Sequence, residues 1–425
     1  TRNGVVQSAN ARIGQLGVYK NGTIQIGPVD PTSFNLGQVR VLSAGISASY
    51  GDFVGGAIDY TSSDFLDTVS IRKILLRSSS PFNAYHQNAV ETFLYKPLKV
   101  VEGQTRTAIT LSLFAEHQKD PNPASVQMFG LTDKSRTDLL NTPFQTSANG
   151  LELPASNGYN SENFVAVKQK QNAASTNLFA SSQFSWKPNS NVVVRVGPSI
   201  QYRKQNQFSF SNSLLNSEHN PLNSSITGKI NAQVLHTLKR PYNSKGESIY
   251  DSTLFSKINY MLIADYQRVN SKTVDPIHRD DIFSYGHIGR FESEGENTYT
   301  LMEDPRVITD QNGDQVVLEG YHQLQGYSNT KLTFTENEQN AQRAALTRST
   351  MSNGEITSLN ELQQAQGVLN GFNPSAINSM WYAPGTVLSR YAKSDIQKSS
   401  FNAILNLAMN PTRELGKQHD IQIGT

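Results

Sequence analysis

Residues 191–204 read NVVVRVGPSIQYRK, and the period of that run decides the fold. Val192, Val194, Val196, Ile200 and Tyr202 alternate with Arg195, Ser199, Gln201 and Arg203, the two-residue period of a strand with one apolar and one polar face. The pattern recurs on both sides. In TAITLSLFAE (107–116), Ile109, Leu111, Leu113 and Ala115 oppose Thr110, Ser112 and Glu116. In ITGKINAQVLHTL (226–238), Ile230, Ala232, Val234 and Leu238 oppose Lys229, Asn231, Gln233 and Thr237. In FSKINYMLIADYQ (255–267), Ile258, Tyr260, Leu262, Ala264 and Tyr266 oppose Asn259, Asp265 and Gln267. Strands of about ten residues with this contrast suit a wall between two solvents. A soluble sandwich also alternates, but its strands run about five or six residues.

The connections carry the same message. KVVEGQTR (99–106) and KPNSN (187–191) are tight turns, LKRPYNSKGESIYDS (238–252) is moderate, and NPTRELGKQH (410–419) is short. Between them lie polar excursions over about 119–175, 206–225 and 270–395, read as loops without a core pattern. Short turns on one rim and long loops on the other fit a transmembrane antiparallel β-barrel. Trp186, Tyr202, Tyr260 and Tyr266, placed near strand ends, suit the aromatic girdles at the lipid boundary. As buried core aromatics they need no membrane.

Composition narrows the alternatives. Hydrophobic residues make up 37% of the 425, low for a water-soluble chain of this size. The net charge of +2 points to no nucleic acid, and the absence of cysteine excludes disulfides and thiolate metal sites. No run approaches the roughly 18 apolar residues of a membrane helix.

A second stretch, SASYGDFVGGAIDY (47–60), places Gly51, Gly55 and Gly56 just ahead of a short alternating strand. Glycines so close together mark a tight turn where backbone passes near backbone. In its wider context, QVRVLSAGISASYGDFVGGAIDYTSS (38–63) resembles the end of the plug domain of TonB-dependent outer-membrane receptors. Val39, Val41, Leu42, Ser47, Tyr50, Gly51, Gly55, Gly56, Ala57, Ile58 and Asp59 match the family pattern. One glycine is displaced, with Ala44 in its place and Gly45 following. GVVQSANARIGQLGVYKNGTIQIG (4–27) resembles the middle of the same plug, with Tyr19–Gly22 at a turn. FAEHQKDPNPAS (114–125), DPIHRDDIFSYGHIGRF (275–291) and VLNGFNPSAINSMW (368–381) look like the long-looped branch of the family.

The resemblance implies an all-β chain whose residues 1–64 are the C-terminal part of a plug. Residues 65–425 would then be the first part of a barrel of about 22 strands when complete, here about nine of them. It implies an outer-membrane location in a Gram-negative bacterium and no enzyme activity. The importer it describes takes up a large or scarce substrate (a glycan, peptide or metal chelate). Its partners are outer-membrane lipid, a periplasmic energy-coupling protein and, through the long loops, a surface lipoprotein or other outer-membrane proteins. One departure supports an alternative. The family's plug carries glutamates that lock to the barrel wall, whereas Leu36-Gly37-Gln38-Val39-Arg40 has none. The alternative is a structural subunit of a larger outer-membrane or surface-protein assembly, without transport.

Substrate contact is expected at the plug apex, PVDPTSFN (28–35), through Asp30, Ser33 and Phe34. In the longest loop Tyr321, Tyr327, Trp381 and Tyr382 offer rings for sugar or peptide, or pack the loops against one another. Tyr50, Gly51, Gly55, Gly56 and Ile58 have a structural part in the plug motif. His278, Asp280, Asp281 and His287 follow no metal-ligand template and read as a hydrogen-bonded loop. DQNGDQ (310–315) lacks the glutamate of a calcium loop and reads as an Asn-Gly hairpin turn. No cofactor and no metal are assigned.

Overall fold

The computed structural model describes residues 17–20, 23–24, 36–42, 57–62, 68–80, 86–142, 144–148, 152–239, 255–352, 354–365, 367–370, 391–409 and 419–424. The first four strands, β1 (Gly17–Lys20), β2 (Thr23–Ile24), β3 (Leu36–Leu42) and β4 (Ala57–Ser62), form one mixed sheet in the order β2-β1-β4-β3. β1 and β2 pair antiparallel, Tyr19 with Ile24 and Lys20 with Thr23, and residues 21–22, where a turn is expected, lie outside the described residues. β1 runs parallel to β4, and β3 antiparallel to it. Ile58 lies in β4, paired with Val41 and Val18. Tyr50, Gly51, Gly55 and Gly56 lie outside the described residues.

The next strands are β5 (Ile71–Ser78), β6 (Asn88–Val101) and β7 (Gln104–Gln118). An excursion follows with β8 (Met128–Leu131), helix α1 (Asp133–Asn141), β9 (Phe144–Thr146), β10 (Glu152–Pro154) and β11 (Phe164–Val167). The chain returns through β12 (Ser175–Asn189), β13 (Val192–Asn206), β14 (Leu222–Lys239) and β15 (Phe255–Val274). The longest excursion holds β16 (Gly289–Met302), β17 (Arg306–Thr309), β18 (Gln315–Leu318), β19 (Tyr321–Glu336), α2 (Ala341–Ser352) and α3 (Leu359–Gln364). β20 (Ala392–Met409) and β21 (His419–Gly424) are the last strands among the described residues. Nine of them form one antiparallel meander, β21-β20-β15-β14-β13-β12-β7-β6-β5.

This sheet is inverted relative to a water-soluble one. Ile74, Leu76 and Phe401 are 69%, 74% and 65% exposed, whereas Glu91, Ser112 and Gln267 are each 1% exposed. On β15 the exposed parity is apolar from Ile258 to Tyr266 and then turns to Arg268, Asn270 and Lys272. That apolar span matches the 9–11 residues a tilted strand needs to cross a bilayer. β20 changes at the same register: Phe401 pairs with Ala264, while Gln397 and Asp395 pair with Arg268 and Asn270. On β13 the change comes between Tyr202 and Lys204. The opposite face is largely polar and bonded to itself, interrupted by two buried apolar clusters, Ala89 with Phe114 and Phe179, and Phe93 with Tyr95 and Ala108. Arg195 donates to Gln233 at 2.7 Å, Gln201 to Asn177 at 2.8 Å, and Gln267 to Asp265 at 2.9 Å. An outward apolar belt around a polar inner face is the arrangement of a wall between lipid and a polar lumen.

Tyr266 corrects one expectation. It stands in the middle of β15, not near its end, because the strand continues to Val274 beyond the apolar belt. It nevertheless marks the boundary, since the next residue on its face is Arg268. Trp186, near the tight-turn end of β12, is half exposed.

The two rims differ as read from the sequence. β6 and β7 are joined by Glu102-Gly103 with φ of +51° and +70°, the paired positive φ of a type I′ turn, whose twist matches the flanking strands. β12 and β13 are joined by Ser190-Asn191, where the Asn189 carboxamide oxygen accepts from the amides of Asn191 and Val192, each at 2.9 Å. The opposite rim carries the excursions 119–174, 207–221 and 275–391. These are not free of core, contrary to expectation. β16 and β19 form a long antiparallel ribbon, and Ile288, Ala344, Leu346 and Val368 make a buried cluster against Phe291 and Phe334. No helix among the described residues is long and apolar enough to cross a membrane.

Candidate functional site

The long-loop rim concentrates the buried polar chemistry. Residues 207–221 bend through short turns at Phe210–Asn212 and Ser217–His219, which bury Asn212, Ser217 and His219. Asn212, Asn216, Ser217, His219 and Asn220 are all buried. Asn220 donates to the Asn172 carbonyl at 3.1 Å, and Asn172 donates to Ser217 at 3.1 Å, which staples this excursion to the end of the first. Arg136 on α1 pairs with Glu218 across the same seam. Asp120 anchors the other side, accepting from the amides of Asn122 and Lys170 at 3.0 Å each.

The third excursion joins at Asp275, one residue past the end of β15. Its Oδ1 accepts from the amides of Ile277 at 2.8 Å and His278 at 3.2 Å, closing a tight turn. Its Oδ2 accepts from His219 Nδ1 at 2.7 Å. Burial raises the Asp275 pKa, but the His219 hydrogen bond and charge, with the two backbone amides, outweigh it and hold the carboxyl below its ordinary range. His278 stacks on His219 with ring centroids 6.0 Å apart and meets Tyr285 at 5.6 Å. Burial pushes the His278 imidazole below its usual value. The Tyr285 hydroxyl accepts from the Asp275 amide at 2.8 Å and donates to the Arg279 carbonyl at 2.8 Å.

Outside this buried knot, Asp280 gathers the strand ends. It accepts from Lys272 at 2.6 Å and from the Tyr391 hydroxyl at 3.1 Å, and Lys393 lies 3.4 Å away. The Lys272 hydrogen bond is the main reason its carboxyl stays below the ordinary range. Of the four residues read as a hydrogen-bonded loop, His287 contributes its backbone carbonyl, which accepts from Asn340 at 2.8 Å. Asp281 accepts through its carbonyl from Ser284 at 2.7 Å. Sequence reasoning singled out His278 but not His219 or Asp275. His219 lies 56 residues before Asp275, and nothing in the local pattern joins the two.

The aromatic candidates are not brought together among the described residues. Tyr321 begins β19 opposite Met302, with the Arg306 guanidinium 5.8 Å from its ring. Tyr327 pairs with Asn297 further along the ribbon and is exposed. Tyr299 and Leu324, paired across the same ribbon, are equally exposed and lie in the stretch read from sequence as loop. Asp30, Ser33, Phe34, Trp381 and Tyr382 lie outside the described residues. DQNGDQ is the hairpin turn read from its Asn-Gly pair. Gly313 takes φ +91°, and Asp310 Oδ1 accepts from the amides of Asn312 and Asp314, each at 2.9 Å.

No family model and no curated protein matches this chain. Among solved structures it is similar to the siderophore receptor PiuA from Acinetobacter baumannii, at 12% identity and a TM-score of 0.36 over 93% of this chain. It is similar to the ferric-catecholate import receptor Fiu from E. coli K12, at 12% identity and 0.34 over 96%. A third is a mutant of the ferric enterobactin receptor PfeA from Pseudomonas aeruginosa, at 8% and 0.29 over 96%. The chain spans 48%, 62% and 49% of those proteins, and at these scores the likeness adds nothing to what the strands show.

Proposed function

We propose that this chain is part of a plugged outer-membrane β-barrel receptor, with residues 1–64 in the plug and 65–425 in the wall. The observation that carries the reading is the outward apolar belt, which ends at matching register on β15 and β20. Exposed in water, such a belt is a large aggregation-prone patch, and in lipid it is the favoured surface. The glycine-rich stretch 47–60 supports the plug assignment through its resemblance to that of TonB-dependent receptors. On this reading the tight turns face the periplasm and the excursions face outward. Substrate of the glycan, peptide or chelate class meets the loops, and an energy-coupling protein acts on the plug from below. Catalysis has no part in it.

A second reading, a scaffold subunit of a surface assembly, is favoured by residues 36–40, which lack the acidic partners of the family's plug lock. One experiment separates the two. Uptake is compared in cells with and without the intact gene, before and after collapse of the proton gradient. Gene-dependent uptake that disappears with the gradient supports the importer. Unchanged uptake together with loss of other surface proteins from the outer membrane supports the scaffold.

A further inference from the structure

We propose that His219, Asp275 and His278 form a binding site for one divalent transition-metal ion of the zinc class, clipping the second long excursion to the third. One donor atom from each residue lies within 4.8 Å of the other two, and all three residues are buried. Zinc–ligand bonds of about 2.0–2.1 Å ask the most widely spaced donors to close by roughly an ångström, while His219 Nδ1 and Asp275 Oδ2, 2.7 Å apart, open where both ligate, the imidazole releasing the proton it shares with the carboxylate.

The second observation is His278 itself. It is 5% exposed, and neither its Nδ1 nor its Nε2 has a hydrogen-bond partner. A buried imidazole with both nitrogens unanswered is costly, because each polar atom has lost water and gained nothing. A cation held by one of those nitrogens removes that cost. Two imidazoles and a carboxylate suit zinc or its borderline neighbours better than calcium or magnesium, which prefer oxygen shells. The backbone supports the donors: Asp275 is fixed by the amides of Ile277 and His278, so its second oxygen is held toward His219. Three protein ligands leave a fourth position for water. Because the ligands come from two excursions far apart in sequence, binding closes a long loop, and its free energy appears as order at the rim.

The test uses the purified full-length protein in detergent, stripped with a chelator and titrated with zinc chloride. The expected result is one tight site per chain, with zinc slowing proteolysis within 207–221. His278→Ala and His219→Gln weaken that site by more than about tenfold, whereas His322→Ala on the ribbon leaves it unchanged. Native heat-modifiable mobility confirms that each variant is folded, and His219→Gln carries the test should His278→Ala misfold. Folded protein that takes up no zinc, or that binds it equally after either ligand substitution, overturns the proposal.

Discussion

At Glu102-Gly103 two successive residues sit at positive φ with only one of them glycine. Glu102 therefore carries the strain that asparagine tolerates in a type I′ turn. Glu102→Asn is expected to stabilise the protein by about 0.5–1 kcal/mol. Gly103→Val, with open space around it but φ at +70°, is expected to cost about 1–2 kcal/mol. Urea midpoints in detergent check both. Asp280 gives a prediction in pH. Its carboxyl is depressed chiefly by the Lys272 hydrogen bond, so the folded state binds a proton less readily than the unfolded one. Its contribution is then complete above the ordinary carboxylate value of about 4 and is lost as pH falls through the depressed one. The difference in urea midpoint between the protein and Asp280→Asn should be present at pH 7 and shrink toward zero below about pH 4.

Among the elements, legibility followed burial contrast. β7, β13, β14 and β15 were readable because one face meets a polar interior and the other does not, so every second residue is constrained. The ribbon β16–β19 was not readable. Both of its faces are largely exposed, and in GRFESEGENTYTLM the parity opposite Glu292, Glu294 and Glu296 is apolar only at Phe291, Tyr299 and Leu301, too sparse to mark a buried face. The helix α2 was hidden for a related reason: it buries only Ala344, Leu346 and a few polar neighbours such as Thr347 against the loop core. The His219–Asp275 pair of the candidate site escaped because the two residues meet through folding rather than through spacing. Two substitutions test the inverted sheet. Ile230→Arg, on the exposed face of β14, should cost about 2–4 kcal/mol on folding into lipid vesicles. Val317→Arg, more exposed but on the small hairpin of the longest excursion, should leave vesicle folding unchanged. Equal effects from the two would contradict a lipid-facing belt. Within the loop core, Leu346→Ala removes a buried side chain that contacts the Ile288 cluster. It should cost about 2–5 kcal/mol of local stability, seen as faster proteolysis between α2 and α3 while the sheet stays intact.

For the whole molecule, two solvents meet at one sheet, and the chain's chemistry divides accordingly. Belt residues face outward, self-bonded polar residues face inward, and the buried titratable knot sits on the rim with the long excursions. Each strand of the nine-stranded sheet pairs with the next sheet strand along the chain, and β6–β7 and β12–β13 do so across two-residue turns. Other pairs bracket the excursions. β15 and β20 are registered from Thr273–Ala392 down to Phe255–Met409, although residues 275–391 lie between them. The bidentate Arg268–Asp395 contact, at 3.1 and 2.7 Å, lies within that seam. Being half exposed and open to water, it adds little to stability.

That seam makes the excursion 275–391 a detachable cassette. Its two ends leave the wall from adjacent staves, already zipped along their whole length, so a replacement of any size need only bridge one strand spacing. The excursion can then change in length or sequence while the staves beneath keep their places.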